Sequence, residues 1–235
     1  MNATRGFLIV VGIWACLGGG VVGCERFSPE AKKTAHRERG KAFFEQEKYQ
    51  EALIEYKNVV QLDQNDADAH YQMALAYMKL GGLTNLQGAF AELTKTVELD
   101  KSNADAQLKL GEFYLLGNKP DKAREQAEIV LASAPQSLDG LALKGRSLLT
   151  EQRYDEAISQ LKKALLQAPK NMQLYIDLAR AYVLNKDNAA AESVLKEALE
   201  IDPKSTPVLL ALGDLRLLNH QQDEAEQLYK RALDI

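Results

Sequence analysis

The chain has 235 residues, 46% of them hydrophobic and 26% charged, with a formal net charge of −4. That length suffices for one large domain or two small ones with a sizeable core, and the mildly acidic balance excludes a general nucleic-acid binder, which needs a basic face. Glycine and proline are scarce, alanine and leucine are common, and strand-like runs of Val, Ile and Thr are almost absent after residue 24, so the body is predicted to be all-α.

The first element is "MNATRGFLIVVGIWACLGGGVVGC", in which Arg5 is the only charge. Phe7 to Leu17 is an apolar run of signal-peptide length, and Gly18, Gly19 and Gly20 then break any helix. The apolar stretch to Gly23 is shorter than the roughly 20 residues that span a bilayer. The closing Val21-Val22-Gly23-Cys24 resembles a bacterial lipobox. That resemblance implies a lipoprotein signal peptide over 1–23, cleavage before Cys24, a diacylglyceryl group on its thiol and usually an acyl chain on its freed amine. Each buried methylene contributes about 0.8 kcal/mol and stable anchoring takes at least two lipid signals, so two or three chains on one residue hold the protein at a membrane. An uncleaved anchor is disfavoured by the triple glycine, and lipid on Cys16 by the bulk of Trp14 beside it. Glu25 is not the aspartate associated with inner-membrane retention, so the expected location is the bacterial envelope, on the periplasmic face of the outer membrane. Residues 24–32 then form a short linker.

From about Lys33 the chain repeats itself. Ala89, Ala123, Ala157, Ala191 and Ala225 stand 34 residues apart, as do Pro135, Pro169 and Pro203. A small residue recurs at Gly40, Ala74, Gly111, Gly145, Ala179 and Gly213, followed three residues later by Phe43, Tyr77, Tyr114 and Tyr182, with Leu148 and Arg216 as departures. Through "GKAFFEQEKYQEALIEY", "GRSLLTEQRYDEAISQLKKALLQAP" and "YIDLARAYVLNKDNAAAESVLKEALEIDP" the sequence resembles the tetratricopeptide repeat (TPR) family. The resemblance implies a right-handed superhelical solenoid of six helix-turn-helix units, at 33–66, 67–103, 104–137, 138–171, 172–205 and 206–235. The tryptophan frequent early in the first helix is replaced by His36, His70, Gln107, Leu141, Tyr175 and Leu209. In each pair the small residue lets the second helix cross closely. The large residue four after the alanine (Tyr56, Leu93, Leu161, Leu195, Tyr229) is expected to fill the gap between units, and the prolines to start the next helix. Ser205-Thr206-Pro207 reads as a hydroxyl N-cap before a first-turn proline. The second unit holds three extra residues within "LGGLTNLQGAF", expected as a longer turn or as a binding loop. Leu228, Leu233 and Ile235 lack a following helix, so further repeats or a partner are expected to cover that end.

No catalytic constellation and no cofactor motif is present. His36 and His70 occupy equivalent slots one unit apart, too far for one metal, and Gly81-Gly82 lacks the later Gly-Lys-Ser/Thr of a phosphate loop. The informative surface is the concave side, lined by first helices. Helical spacing from the small slot directs there Arg37, Lys41, Phe44, Tyr71, Leu75 and Met78 from the first two units. The next two supply Leu108, Glu112, Leu115, Ala142, Arg146 and Leu149, and the last two Ile176, Arg180, Val183, Leu210, Asp214 and Leu217. Such a surface suits a partner protein or peptide laid in the groove, leucines supplying area and Arg146 and Arg180 fixing polarity. A carboxylate clamp like that of chaperone-binding relatives is disfavoured, because Asp105 reverses a charge and the clamp asparagines are missing. The layout is similar to pilus-secretin pilotin lipoproteins and to exosortase-associated TPR lipoproteins, and implies a membrane-anchored scaffold for an envelope, secretion or exopolysaccharide system. The alternatives are repeats serving a catalytic or further repeat region beyond Ile235, and a soluble cytoplasmic adaptor.

Overall fold

The structure, a computed structural model, describes residues 28–235; the predicted signal peptide, the lipobox and Cys24 lie outside them. Among the described residues there are twelve helices and no strand. They pair as α1 Pro29–Glu45 with α2 Tyr49–Leu62, α3 Ala67–Leu80 with α4 Leu83–Leu99, and α5 Ala104–Leu116 with α6 Pro120–Ser133. The series continues with α7 Leu138–Thr150 and α8 Tyr154–Gln167, α9 Met172–Leu184 and α10 Asn188–Ile201, α11 Thr206–Leu218 and α12 Gln222–Leu233. Each pair falls inside one predicted unit, except that α1 starts at Pro29, in the stretch read as linker, with the Ser28 hydroxyl accepting from the Ala31 amide at 3.1 Å.

The turns inside five of the pairs are built alike. Glu47, Asn118, Gln152, Lys186 and His220 adopt positive φ of 52° to 64°. In each, that residue's amide and the next donate back to carbonyls of the first helix, as Glu47 to Phe44 at 3.0 Å and Lys48 to Phe43 at 2.9 Å. This is the Schellman arrangement, which satisfies the last orphan carbonyls. Four of the first helices have a short polar side chain as cap: Asp66, Asn103, Ser137 and Asn171 accept amides of α3, α5, α7 and α9 at 3.0, 2.9, 3.2 and 3.1 Å.

Four sequence expectations change. Ser205 takes the N-cap position of α11, but its hydroxyl makes no capping bond. Pro135, Pro169 and Pro203 stand just after helix ends rather than at helix starts: each follows a C-cap residue (Ala134, Ala168, Asp202), and α2 and α4 end with similar backbone at Asp63 and Asp100 where Gln64 and Lys101 follow instead. The insertion in the second unit is neither a longer turn nor a binding loop. Gly81 and Gly82, at φ 64° and 80°, reverse the chain in two residues, which only glycine does without strain. The added residues therefore extend α4, which has 17 residues where the other second helices have 12 to 14. Finally, the large residue after the alanine packs first within its own pair. A Cβ on Gly145 would lie 2.7 Å from Leu161 and one on Gly40 3.0 Å from Tyr56, so the small slot and the large residue are one fitted contact. From there these side chains reach the next unit, as Tyr56 does toward Met73 and Ala76.

In three of the six units the slot that lacks tryptophan ties the pair to the preceding turn. His70 Nε2, Gln107 Nε2 and the Tyr175 hydroxyl lie 3.1, 3.2 and 3.1 Å from the carbonyls of Gln64, Lys101 and Pro169. His36 and His70 also meet Glu55 and Glu92 across their pairs at 2.6 Å. Arg216, in the aromatic slot of α11, forms a fork with Glu192 of α10 at 2.8 and 2.6 Å and lies 3.0 Å from Glu224 of α12. The apolar stripes meet in a series of clusters from α1 to α12, so the molecule is an all-α superhelical stack with its core between successive pairs. No described helix is long and apolar enough to cross a membrane.

Candidate functional site

First helices touch one another along the stack, α5 with α7, α7 with α9 and α9 with α11, while no comparable contact joins second helices. First helices therefore lie on the inside of the curve. Three hollows follow one another there. The first, about 320 Å³, lies between α3, α5 and the start of α7, with Met78, Leu86, Leu108 and Phe113 beside Asp105, Lys109 and Asp139. The second, about 430 Å³, lies across α5, α7 and α9, with Leu115, Leu149 and Thr150 around Arg146. The third, also about 430 Å³, lies between α9 and α11, with Ile176, Val183, Leu215 and Asp214. Glu112 and Leu116 line both the first and second, and Asp177, Arg180 and Leu184 both the second and third. The hollows thus form one continuous trough from α3 to α11.

Most residues predicted for the groove from the third unit onward are brought together there, with Met78 from the second. Others are not. Arg37 pairs with Asp66 and lies 3.4 Å from Asp68, and Lys41 is exposed, 4.0 Å from Glu45. Phe44 packs edge-on against Tyr49 at 5.1 Å. Tyr71 packs into the core around Leu93, its phenol pushed up to about 12 by burial and by Asp105. Ala142 is buried, Leu75 is half-buried, and Leu210 and Leu217 are exposed outside these hollows.

Arg146 and Arg180 hold equivalent slots but differ electrically. Arg146 is engaged: its Nη2 donates to Glu112 Oε1 of α5 at 2.8 Å and its Nε lies 4.0 Å from Asp177 Oδ2 of α9. The expectation that it offers charge to a ligand is corrected accordingly. Arg180 is exposed and has no ion pair among the described residues, which leaves its guanidinium available in a wall that mixes leucines with Asp177 and Thr150. Asp177, which spacing alone did not single out, is 5% exposed and accepts one bond, from Gln173 Nε2 at 3.0 Å. Burial pushes its carboxyl up, against the pull of Gln173, Arg146 and Arg180. Leu116 and Leu184 were also missed. Their signal was available, since each stands five residues after a small slot, as does Leu218. Among the described residues no group of His, Cys, Asp and Glu is arranged to hold a metal ion.

This geometry can hold an elongated chain segment by apolar contact, with an acidic group on Arg180. No curated protein sequence matches the chain. Among solved structures, MamA from Desulfovibrio magneticus RS-1 superposes with a TM-score of 0.67 at 21% identity, over 74% of this chain and 97% of that one. PilW, a widely conserved type IV pilus biogenesis factor, gives 0.70 at 16% identity, over 83% and 90%. The pilF protein of Pseudomonas aeruginosa gives 0.64 at 15%, over 85% and 90%. At these identities the likeness concerns the fold. Family models described as TPR repeat and tetratricopeptide repeat match residues 40–81 and 143–206, and a further tetratricopeptide repeat model matches 82–146 together with 183–235, half of the chain. With the paired helices and small-residue slots in step from end to end, this chain belongs to the tetratricopeptide repeat family.

Proposed function

We propose that the chain is a lipid-anchored scaffold that holds a segment of a partner protein in its trough, and so helps assemble an envelope, secretion or exopolysaccharide system on the periplasmic face of the outer membrane. It acts by holding, not by catalysis. The observation that carries this reading is the continuous trough of leucines interspersed with charges, with Arg180 unpaired inside it. The lipobox-like Val21-Val22-Gly23-Cys24 supports the anchor, and the similar fold of PilW, a type IV pilus biogenesis factor, supports the class of system.

Two measurements test it. Because Arg180 is exposed and unpaired, Arg180→Glu is expected to leave stability within about 0.5 kcal/mol while weakening partner capture from membranes about tenfold or more. An unchanged partner set would remove the trough from the account. Radiolabelled palmitate is expected on the wild-type chain and not on Cys24→Ala; label persisting in the variant would reject the anchor assignment.

A further inference from the structure

The third hollow runs between α9 and α11 as far as the second layer of helices. Leu195 of α10 is 1% exposed and still lines it. The cause is Ala211, the smallest side chain at its position in the repeat. The equivalent residue of α7 is Leu143, which is buried against Ala123 and Ala127 of the unit before it and closes the corresponding space. At α11 that space stays open, as a notch in the hollow of about 430 Å³ walled by Ile176, Val183, Leu195, Ala211 and Leu215.

Beside the notch stands a buried acceptor with capacity to spare. Asp177 is 5% exposed, and its carboxylate accepts one hydrogen bond among the described residues, from Gln173 Nε2 to Oδ1 at 3.0 Å. Oδ2 lies 4.0 Å from Arg146 Nε, beyond hydrogen-bond range. A carboxylate accepts up to about four bonds, and a buried one short of donors is costly. Charge sign does not choose what fills the notch, because Asp177 and Asp214 stand against Arg180 there. Desolvation does. An ammonium or guanidinium sunk among these aliphatic side chains gives up its water, whereas an indole N–H or a phenol O–H needs one acceptor and brings an apolar ring.

Resting on the trough reading above, we propose that the notch between α9 and α11 takes a tryptophan or tyrosine side chain of the partner segment. Its ring packs on Leu195 and Ala211, and its N–H or O–H donates to the Asp177 carboxylate. Rings of this kind bury about 150–250 Å² and recur as the energetic centres of interfaces. Phenylalanine fills the same space but covers Asp177 without donating to it, so the site selects against the plain phenyl ring.

The test is selection of a displayed library of random peptides on the purified full chain. Affinities are then measured for that chain and for Ala211→Leu, Asp177→Asn and Arg180→Glu, with melting curves showing that each variant is folded. Enriched peptides are expected to share a Trp or Tyr and to bind Ala211→Leu, whose longer side chain fills the notch, about tenfold more weakly. Replacing that ring by Phe is expected to cost about tenfold on the wild-type chain and under about twofold on Asp177→Asn, because Gln173 then holds the remaining oxygen and an NH2 group faces the ligand. Phe binding the wild-type chain as tightly as Trp or Tyr would overturn the proposal, as would enrichment of Lys or Arg in place of the ring. Peptides weakened by Arg180→Glu but by neither Ala211→Leu nor Asp177→Asn would overturn the notch and leave the trough standing. Failure to enrich any peptide sensitive to one of the three variants would overturn both. Self-association of the wild-type chain, abolished by Ala211→Leu, would assign the notch to a second copy and also overturn the proposal.

Discussion

Ala127 stands where Tyr56, Leu93, Leu161, Leu195 and Tyr229 stand in the other units. The gap it leaves over Gly111 is filled from the next unit by Leu143, so closely that a Cβ on Gly111 would lie 2.4 Å from its Cδ2. Ala123, Ala127 and Leu143 form a small core of their own. The two positions are expected to be coupled. Leu143→Ala empties a buried site and costs about 2–5 kcal/mol. Ala127→Leu overfills the same space and costs about 1–3 kcal/mol. The double variant is expected to recover at least about 1 kcal/mol relative to the sum, measured by urea denaturation; strictly additive losses would separate the two sites. The sequence displayed half of this pair. Ala127 is visibly small for its slot, but the slot of Leu143 is filled elsewhere by Glu38, Gln72, Lys109, Asp177 and Ala211. Only the packing of α7 on α6 shows which of those side chains turns inward. Asp177 escaped notice for the same reason.

Helices α10, α11 and α12 are joined by charge where four of the other units use an aromatic ring and the fourth unit uses Leu148. Hydrogen bonds from Arg216, and then from Lys196, hold the Glu192 carboxyl at about 2. The unfolded value is about 4.3, so the depressed folded value stabilises the protein fully above that pH. The contribution is lost as pH falls toward 2, because protons then bind the unfolded chain first. Arg216→Met leaves Glu192 without its main partner and is expected to cost about 2–4 kcal/mol at neutral pH. Denaturation curves at a series of pH values should show that difference shrinking below about pH 4; a cost independent of pH would assign it to lost packing. The sequence marks Arg216 as a departure from the aromatic slot but not Glu192 as its partner, since a repeat period fixes slots and not which neighbouring face lies opposite. The insertion teaches the same lesson. Its length could be counted from the alanine spacing, but its shape depends on two glycines reversing the chain without spending the extra residues.

Along the whole molecule, the larger cores lie toward the C-terminal side. Leu141 to Ala181 form one, and Tyr175 to Ala232 another, whereas the first three units share three smaller clusters. In a stack where each unit meets only its neighbours, stability is local. Native-state hydrogen exchange is expected to show the slowest amides in α7 to α11, and α1 to α4 opening at lower free energy. Uniform protection across all units would show a single cooperative block instead. At this scale the sequence was most readable: period, helix pairing and the inward line of first helices all follow from spacing, while the hollows along that line depended on the unequal side chains of each unit. The turns have a broader consequence. Five of them close by the same backbone bonds around Glu47, Asn118, Gln152, Lys186 and His220, chemically unlike residues that all face solvent. Their side chains contribute nothing to that closure, so this edge of the molecule is free to drift, and lineages could rewrite its surface chemistry without disturbing the architecture beneath.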